Sequence, residues 1–208
     1  MRVVILDYGM GNLRSVEKAL ERVGVEAERT ADAARARDAD GVILPGVGAF
    51  PRAMERVREL GLDELVDERR EAGVPILGIC LGLQLLFDTT TELGGADGLG
   101  LLGGPVSELE ADGLKIPHIG WSPVRWERDS RLAEGIASET PFYFVHSFAP
   151  RPASEELLGS AAYGARFACA AERDNVFGVQ FHPEKSSAAG LRLLSNFAGI
   201  CAKAPAAA

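Results

Sequence analysis

At 208 residues, with 47% hydrophobic and 25% charged side chains, the chain is long enough to bury a full core without disulfides or metals. Its usage matches neither disorder nor a membrane class. The formal charge of -8, from 22 basic against 30 acidic residues, argues against a phosphate-backbone binder, which needs clustered Lys and Arg, so no nucleic-acid partner is expected. No apolar run approaches the roughly 18 residues of a spanning helix. Met1 to Leu6 runs directly into Asp7, without the basic region and cleavage site of a secretory signal, so a cytoplasmic protein without membrane partners is expected.

Arg2 to Leu6 reads as a strand, followed by a helix over Leu13 to Val23 with Leu13, Val16, Leu20 and Val23 at helical spacing. Strands near Val25 to Arg29, at Gly41 to Leu44 and at Val74 to Ile79 follow. Between the last two, Ala53 to Glu71 presents Met54, Val57, Leu62, Leu65 and Val66 as a helical stretch. Short β-branched runs alternating with amphipathic stretches are the pattern of a parallel sheet covered on both faces. In the second half, strand-like segments near Pro105 to Glu110, Lys115 to Ile119, Val124 to Glu127, Phe142 to Val145, Ala161 to Cys169 and Val176 to Gln180 are separated by turns, and some are expected to pair antiparallel. A closing helix, Ser187 to Cys201, carries Leu191, Leu194 and Phe197 on one side, and Ala202 to Ala208 reads as a frayed tail. The expected class is α/β: an open, mostly parallel, flavodoxin-like sheet with helices on both faces and additional antiparallel strands in the C-terminal half. One domain over residues 1–201 is expected, with no internal repeat or linker.

The most informative segment is Pro75-Ile76-Leu77-Gly78-Ile79-Cys80-Leu81-Gly82-Leu83-Gln84, an apolar strand that ends in Gly-x-Cys-x-Gly and continues into a helix. That is the nucleophile-elbow pattern with Cys in place of Ser. Side chains at Gly78 and Gly82 would collide across such a turn, and Cys80 is thrust to the amino end of a helix, whose unpaired amides favour a thiolate. A buried packing cysteine is the alternative. Cys169 and Cys201 lack this framing and read as structural. With three cysteines and no CxxC pair, a reducing compartment fits better than a disulfide framework.

Of the three histidines, His182 alone is followed by a carboxylate at useful spacing, in His182-Pro183-Glu184. Pro183 stops strand pairing, and Glu184 can accept from one ring nitrogen while the other faces Cys80. In isolation the tripeptide is equally a surface turn. Pro45-Gly46-Val47-Gly48 supplies a glycine loop at the carboxyl end of a neighbouring strand. Its Val47 or Gly48 amide, with the Leu81 amide, can face a developing oxyanion. No Lys-Ser or Lys-Thr follows, so it is a poor phosphate loop, and Gly9 to Asn12 do not complete a dinucleotide fingerprint. His146 has no adjacent carboxylate and reads as structural or interfacial rather than acid/base.

Elbow, glycine loop and His-Pro-Glu, in this order, resemble class I glutamine amidotransferases over nearly the whole chain. Asp7 to Leu13, Leu44 to Phe50, Gly78 to Gln84, Lys115 to Trp121, Phe142 to Phe148 and His182 to Ser186 are similar to the glutaminase branch that serves imidazole glycerol phosphate synthase. Leu83 stands where anthranilate and aminodeoxychorismate glutaminases usually carry His. The resemblance implies a Cys80, His182, Glu184 triad that releases ammonia from glutamine without cofactor or metal. It places Gly46, Gly48, Gln84, Ser147 and Phe148 at the glutamine pocket, the last two largely through backbone groups. It further implies a heterodimer with a TIM-barrel cyclase, with Pro117, His118, Trp121, Tyr143 and Lys185 near the junction. Trp121 and Tyr143 are alternatively ordinary core aromatics. Two positions depart from the family pattern: Ser122 replaces the common Asn after Gly-Trp, and Phe148 a frequent Tyr. A glutaminase for another synthase and a non-catalytic flavodoxin-like binding module are the competing readings.

Overall fold

The structure is a computed structural model that describes residues 1–204, so the tail expected from Ala202 falls mostly outside the described residues. The first half runs β1 (Val3–Leu6), α1 (Leu13–Arg22), β2 (Ala27–Thr30), a short α2 (Ala33–Ala36), β3 (Gly41–Gly46), α3 (Phe50–Glu59), α4 (Leu62–Glu71), β4 (Ile76–Cys80) and α5 (Leu81–Leu85). The second half adds β5 (Thr89–Thr90), β6 (Ala96–Asp97), β7 (Pro105–Glu108), β8 (His118–Trp126), β9 (Thr140–His146), β10 (Phe148–Pro150), β11 (Leu157–Tyr163), β12 (Ala165–Arg173), β13 (Val176–Val179) and α6 (Ser187–Cys201).

Nine strands form one sheet in the order β2-β1-β3-β4-β13-β12-β11-β8-β9. The five from β2 to β13 are parallel, and the pairings from β13 outward to β9 are antiparallel. The expected α/β architecture is present, with an antiparallel half as extensive as the parallel one. A second sheet, β10-β7-β5-β6, stands apart from it.

Strand alternation explains why both faces are covered. Val3 and Ile5 on β1 pack with α1 and α6 through Val16, Leu20, Leu194 and Phe197, whereas Val4 and Leu6 pack with α3 and α4 through Met54, Val57, Leu65 and Val66. All four β1 side chains are fully buried.

Three expected elements are redrawn. The helical stretch from Ala53 to Glu71 is two helices, because Gly61 takes φ 62° and turns the chain. The separate strands expected at Lys115 to Ile119 and Val124 to Glu127 are the single strand β8, paired with β9 from His118↔His146 to Val124↔Thr140. The strand expected at Ala161 to Cys169 is a hairpin: Gly164 turns at φ 71°, and a β-carbon there would lie 2.3 Å from the Ala111 carbonyl.

Candidate active site

Because β3, β4 and β13 are adjacent and parallel, their carboxyl ends reach the same edge of the sheet. Gly46 stands opposite Cys80, and Val179 opposite Ile79, so Gln180 follows level with Cys80 and His182 lies two residues further. Cys80 sits at φ 56°, ψ -110°, a strained backbone that its neighbours enforce. A β-carbon at Gly78 would lie 2.7 Å from the Gly82 carbonyl oxygen, and one at Gly82 only 1.6 Å from that of Leu44. The elbow therefore has the crowding that its two glycines suggested.

His182 is buried and its Nδ1 donates to Glu184 Oε1 at 2.8 Å. The carboxylate can only accept, which places the proton on Nδ1. Burial alone would lower the ring's affinity for a second proton. Hydrogen bonding and charge from Cys80 and Glu184 outweigh it and push the pKa up to about 9. Nε2 is buried without a hydrogen bond of good geometry, and the Cys80 sulfur beside it is the largest influence raising the pKa. Ser186, which sequence reasoning missed, latches the loop: its Oγ donates to the His182 carbonyl at 2.6 Å and accepts from the Tyr143 amide at 3.0 Å.

A cleft of about 250 Å³ opens beside the sulfur. Val47, Gly48, Leu81, Gln84, Pro117, Ser147 and Phe148 line it with Cys80. Glu92, also unflagged by the sequence, brings a carboxylate to this cleft, and its Oε2 accepts from the Phe50 amide at 2.8 Å. Gly46 does not line the cleft as expected. It is buried under Tyr8, whose hydroxyl would be 2.0 Å from a β-carbon there and donates instead to the Pro45 carbonyl at 2.6 Å. The Val47 amide is directed at the Met10 carbonyl, at 3.4 Å, and so is engaged away from Cys80. Leu81 opens α5, where an amide has no intrahelical acceptor. The Gln84 amide nitrogen is committed to protein groups, donating to the Phe148 carbonyl and to Gln180 Oε1, both at 3.0 Å.

A buried polar chain runs outward from this point. Because the Phe148 carbonyl can only accept, His146 Nδ1 carries the hydrogen of their 2.8 Å bond. Burial, the largest influence, holds the His146 pKa down at about 3, so the ring is neutral and its Nε2 accepts from His118 Nδ1 at 3.0 Å. His118, also lowered by burial, then accepts at Nε2 from the Ser122 hydroxyl at 3.0 Å. Ser122, where the sequence departs from its family, thus has a defined partner.

His118, expected near the junction, is itself buried: it is 2% exposed, stacked between Phe144 and Tyr163. Alternation along β8 turns Ile119 and Trp121 outward instead, at 60% and 51% exposure. Trp121 is therefore no core aromatic. It packs edge-on against its cross-strand partner, the half-buried Tyr143, and the exposed Lys185 holds its ammonium over the Tyr143 ring. Pro117 is exposed beside this surface.

Among the described residues no group of three or more His, Cys, Asp or Glu is arranged to hold a metal, and no helix is long and apolar enough to cross a membrane. A second cleft, of about 300 Å³, lies between β7 and β12, away from Cys80, and its Arg151 and Arg166 are paired with Glu110 and Glu127.

The sequence pattern of the family described as Glutamine amidotransferase class-I matches residues 4–200, and the chain belongs to that family. Within it, the chain is similar to proteins named imidazole glycerol phosphate synthase subunit HisH. That of Moorella thermoacetica is 54% identical over 94% of this chain and 93% of its own, and that of Aquifex aeolicus 49% identical over 95% and 96%. Among solved structures, a glutamine amidotransferase aligns with TM-score 0.76 at 21% identity, over 96% of this chain and 98% of its own. The PurLQS structure from Thermotoga maritima aligns with TM-score 0.75 at 18% identity over the same shares, and at such identities the likeness is one of fold.

Proposed function

We propose that this chain is the glutaminase subunit of imidazole glycerol phosphate synthase, a heterodimer with a TIM-barrel cyclase in histidine biosynthesis. It hydrolyses glutamine to glutamate and ammonia through a thioester on Cys80 and supplies the ammonia to the cyclase. The observation that carries the chemistry is the imidazole of His182, oriented by Glu184 and held protonated beside Cys80 at neutral pH.

The Cys80 sulfur attacks the side-chain amide carbon of glutamine, and the negative charge moves to the carbonyl oxygen. His182 Nε2 gives its proton to the departing nitrogen as the C–N bond breaks, leaving a thioester. Nε2 then takes a proton from water, whose oxygen attacks the thioester, and the C–S bond breaks to return Cys80 as thiolate. Glu184 keeps one ring orientation throughout, which lets the same nitrogen act first as acid and then as base.

The oxyanion is met by the Leu81 amide and by the Val47 or Gly48 amide. Since Val47 N–H points to Met10, its use as second donor requires the loop peptide to turn, a motion that Gly48 at φ 112° accommodates. Glu92 suits the α-ammonium of glutamine, and backbone groups of Ser147 and Phe148 its carboxylate. Gln84 lines the same cleft while its amide nitrogen supports the Phe148 carbonyl.

Ile119, Trp121, Tyr143 and Lys185 form an apolar surface with a cationic edge beside the cleft, which suits docking of the cyclase. Docking there keeps ammonia from being protonated in bulk water. Steady-state glutamate release with and without the cyclase tests this reading. A slow lone chain that an occupied cyclase accelerates is expected, and full activity in the lone chain would count against it.

A further inference from the structure

A glutamine of the protein itself stands against the nucleophile. Gln180 is fully buried, its Nε2 lies 3.8 Å from Cys80 Sγ, and its Oε1 accepts from Gln84 Nε2 at 3.0 Å. The orientation of this amide follows from its partners. Gln84 must present its NH2 group to the Phe148 carbonyl, because its oxygen there would face another acceptor. The second hydrogen of that NH2 meets Gln180 Oε1, so Gln180 turns its own NH2 to the sulfur. The anchor is doubled, since the Phe148 carbonyl is held by His146 as well.

We propose that Gln180 is a further catalytic residue of this site: its amide N–H donates to Cys80 Sγ, holding the sulfur as a thiolate aligned with the cleft. The alternative contact of the sulfur sharpens the point. As a thiol, Cys80 donates to the Val145 carbonyl at 3.9 Å; as a thiolate it is repelled by that oxygen and gains the Gln180 hydrogen. Gln180 and His182 both follow the end of β13 at Val179, and the chain brings both to the sulfur, one with a hydrogen it keeps and one with a hydrogen it transfers. A donor that cannot give up its proton stabilises the thiolate without protonating it while His182 is engaged with the leaving nitrogen. The other ionisable groups around the sulfur are His182, Tyr8 after β1, and, across the cleft, His146 on β9 and Glu92 after β5.

This inference rests on the reading of Cys80 as nucleophile. It is tested by the pH dependence of iodoacetamide alkylation of Cys80 in the full chain, read from the mass of the Cys80 peptide, in wild type, Gln180→Met and Gln180→Glu. Cys169 and Cys201 are buried with their thiols pushed up, so Cys80 reacts first. The alkylation midpoint should move up by about one pH unit in Gln180→Met, a tenfold loss of thiolate below it, and further in Gln180→Glu, which keeps the acceptor but removes the donor. In the complex with the cyclase, kcat should fall while KM for glutamine stays within about twofold. An unmoved midpoint in a natively folded Gln180→Met overturns the proposal. Should that variant not fold, the side-chain amide protons of wild-type Gln180, observed by NMR, must shift with pH as Cys80 titrates and again on its alkylation; no shift overturns it equally. Alkylation needs no turnover, so an error in the nucleophile would surface separately, as sustained glutamine hydrolysis by Cys80→Ser.

Discussion

Three residues at the elbow set the demands on the rest of the site. Gly82 is held so close to the Leu44 carbonyl that Gly82→Ala requires backbone movement, and a loss of at least about 2–3 kcal/mol in urea unfolding is expected. Cys80→Ser should abolish turnover while calorimetry still detects glutamine binding, because the cleft walls are unchanged; sustained turnover would remove Cys80 from the mechanism. His182 makes a pH prediction with a definite sign. Its pKa is raised from 6.5 to about 9, so the stabilisation it provides is complete below pH 6.5 and is lost as pH rises through 9. Unfolding free energy should fall across that window by on the order of 3 kcal/mol, and by less in Glu184→Gln. At this scale the sequence was informative. Gly78, Cys80, Gly82, His182 and Glu184 lie in two short runs, and the crowding of Gly78 and the His182–Glu184 bond arise within them, whereas Gly82 is crowded by Leu44 on the neighbouring strand.

Elements were legible where periodicity was unbroken and misread where one glycine interrupted it. Leu62, Leu65 and Val66 continue the apolar pattern of Met54 and Val57 closely enough that the sequence reads as one helix, yet Gly61 at φ 62° ends α3 and starts α4. A β-carbon at Gly61 meets nothing within 4 Å, so Gly61→Ala isolates the backbone term. A destabilisation of about 1 kcal/mol, or roughly 2–4 °C in Tm, is expected. The same physics hid the hairpin at Gly164, where alternation is identical before and after the turn. Conversely, β8 reads as two strands because Gly120 and Pro123 interrupt its β-branched run, but cross-strand pairing with β9 carries it through both positions.

At the scale of the molecule, β8 connects an outward surface to an inward polar chain. Its odd-numbered residues Ile119 and Trp121 face out, and its even-numbered His118 and Ser122 enter the hydrogen-bonded series that reaches Phe148, Gln84, Gln180 and Cys80. Trp121→Ala should weaken association with the cyclase at least tenfold in a titration calorimeter while shifting unfolding by less than about 0.5 kcal/mol, since half of the ring is already in water. Unchanged affinity would move the docking surface elsewhere.

The amino-acid sequence by itself marked out the candidate residues: a cysteine at a tight bend, a histidine with its carboxylate, a glycine loop beside them. Those features show in short runs of sequence, because the glycine spacing and the His182–Glu184 bond are local. The tertiary structure alone decided which groups surround them. Gln180 meets Cys80 across 100 positions and His118 meets His146 across 28, while the Val47 amide finds the Met10 carbonyl instead of the cleft. Each of these depends on the register and order of strands, and a shift of one residue would turn every such side chain to the opposite face of the sheet.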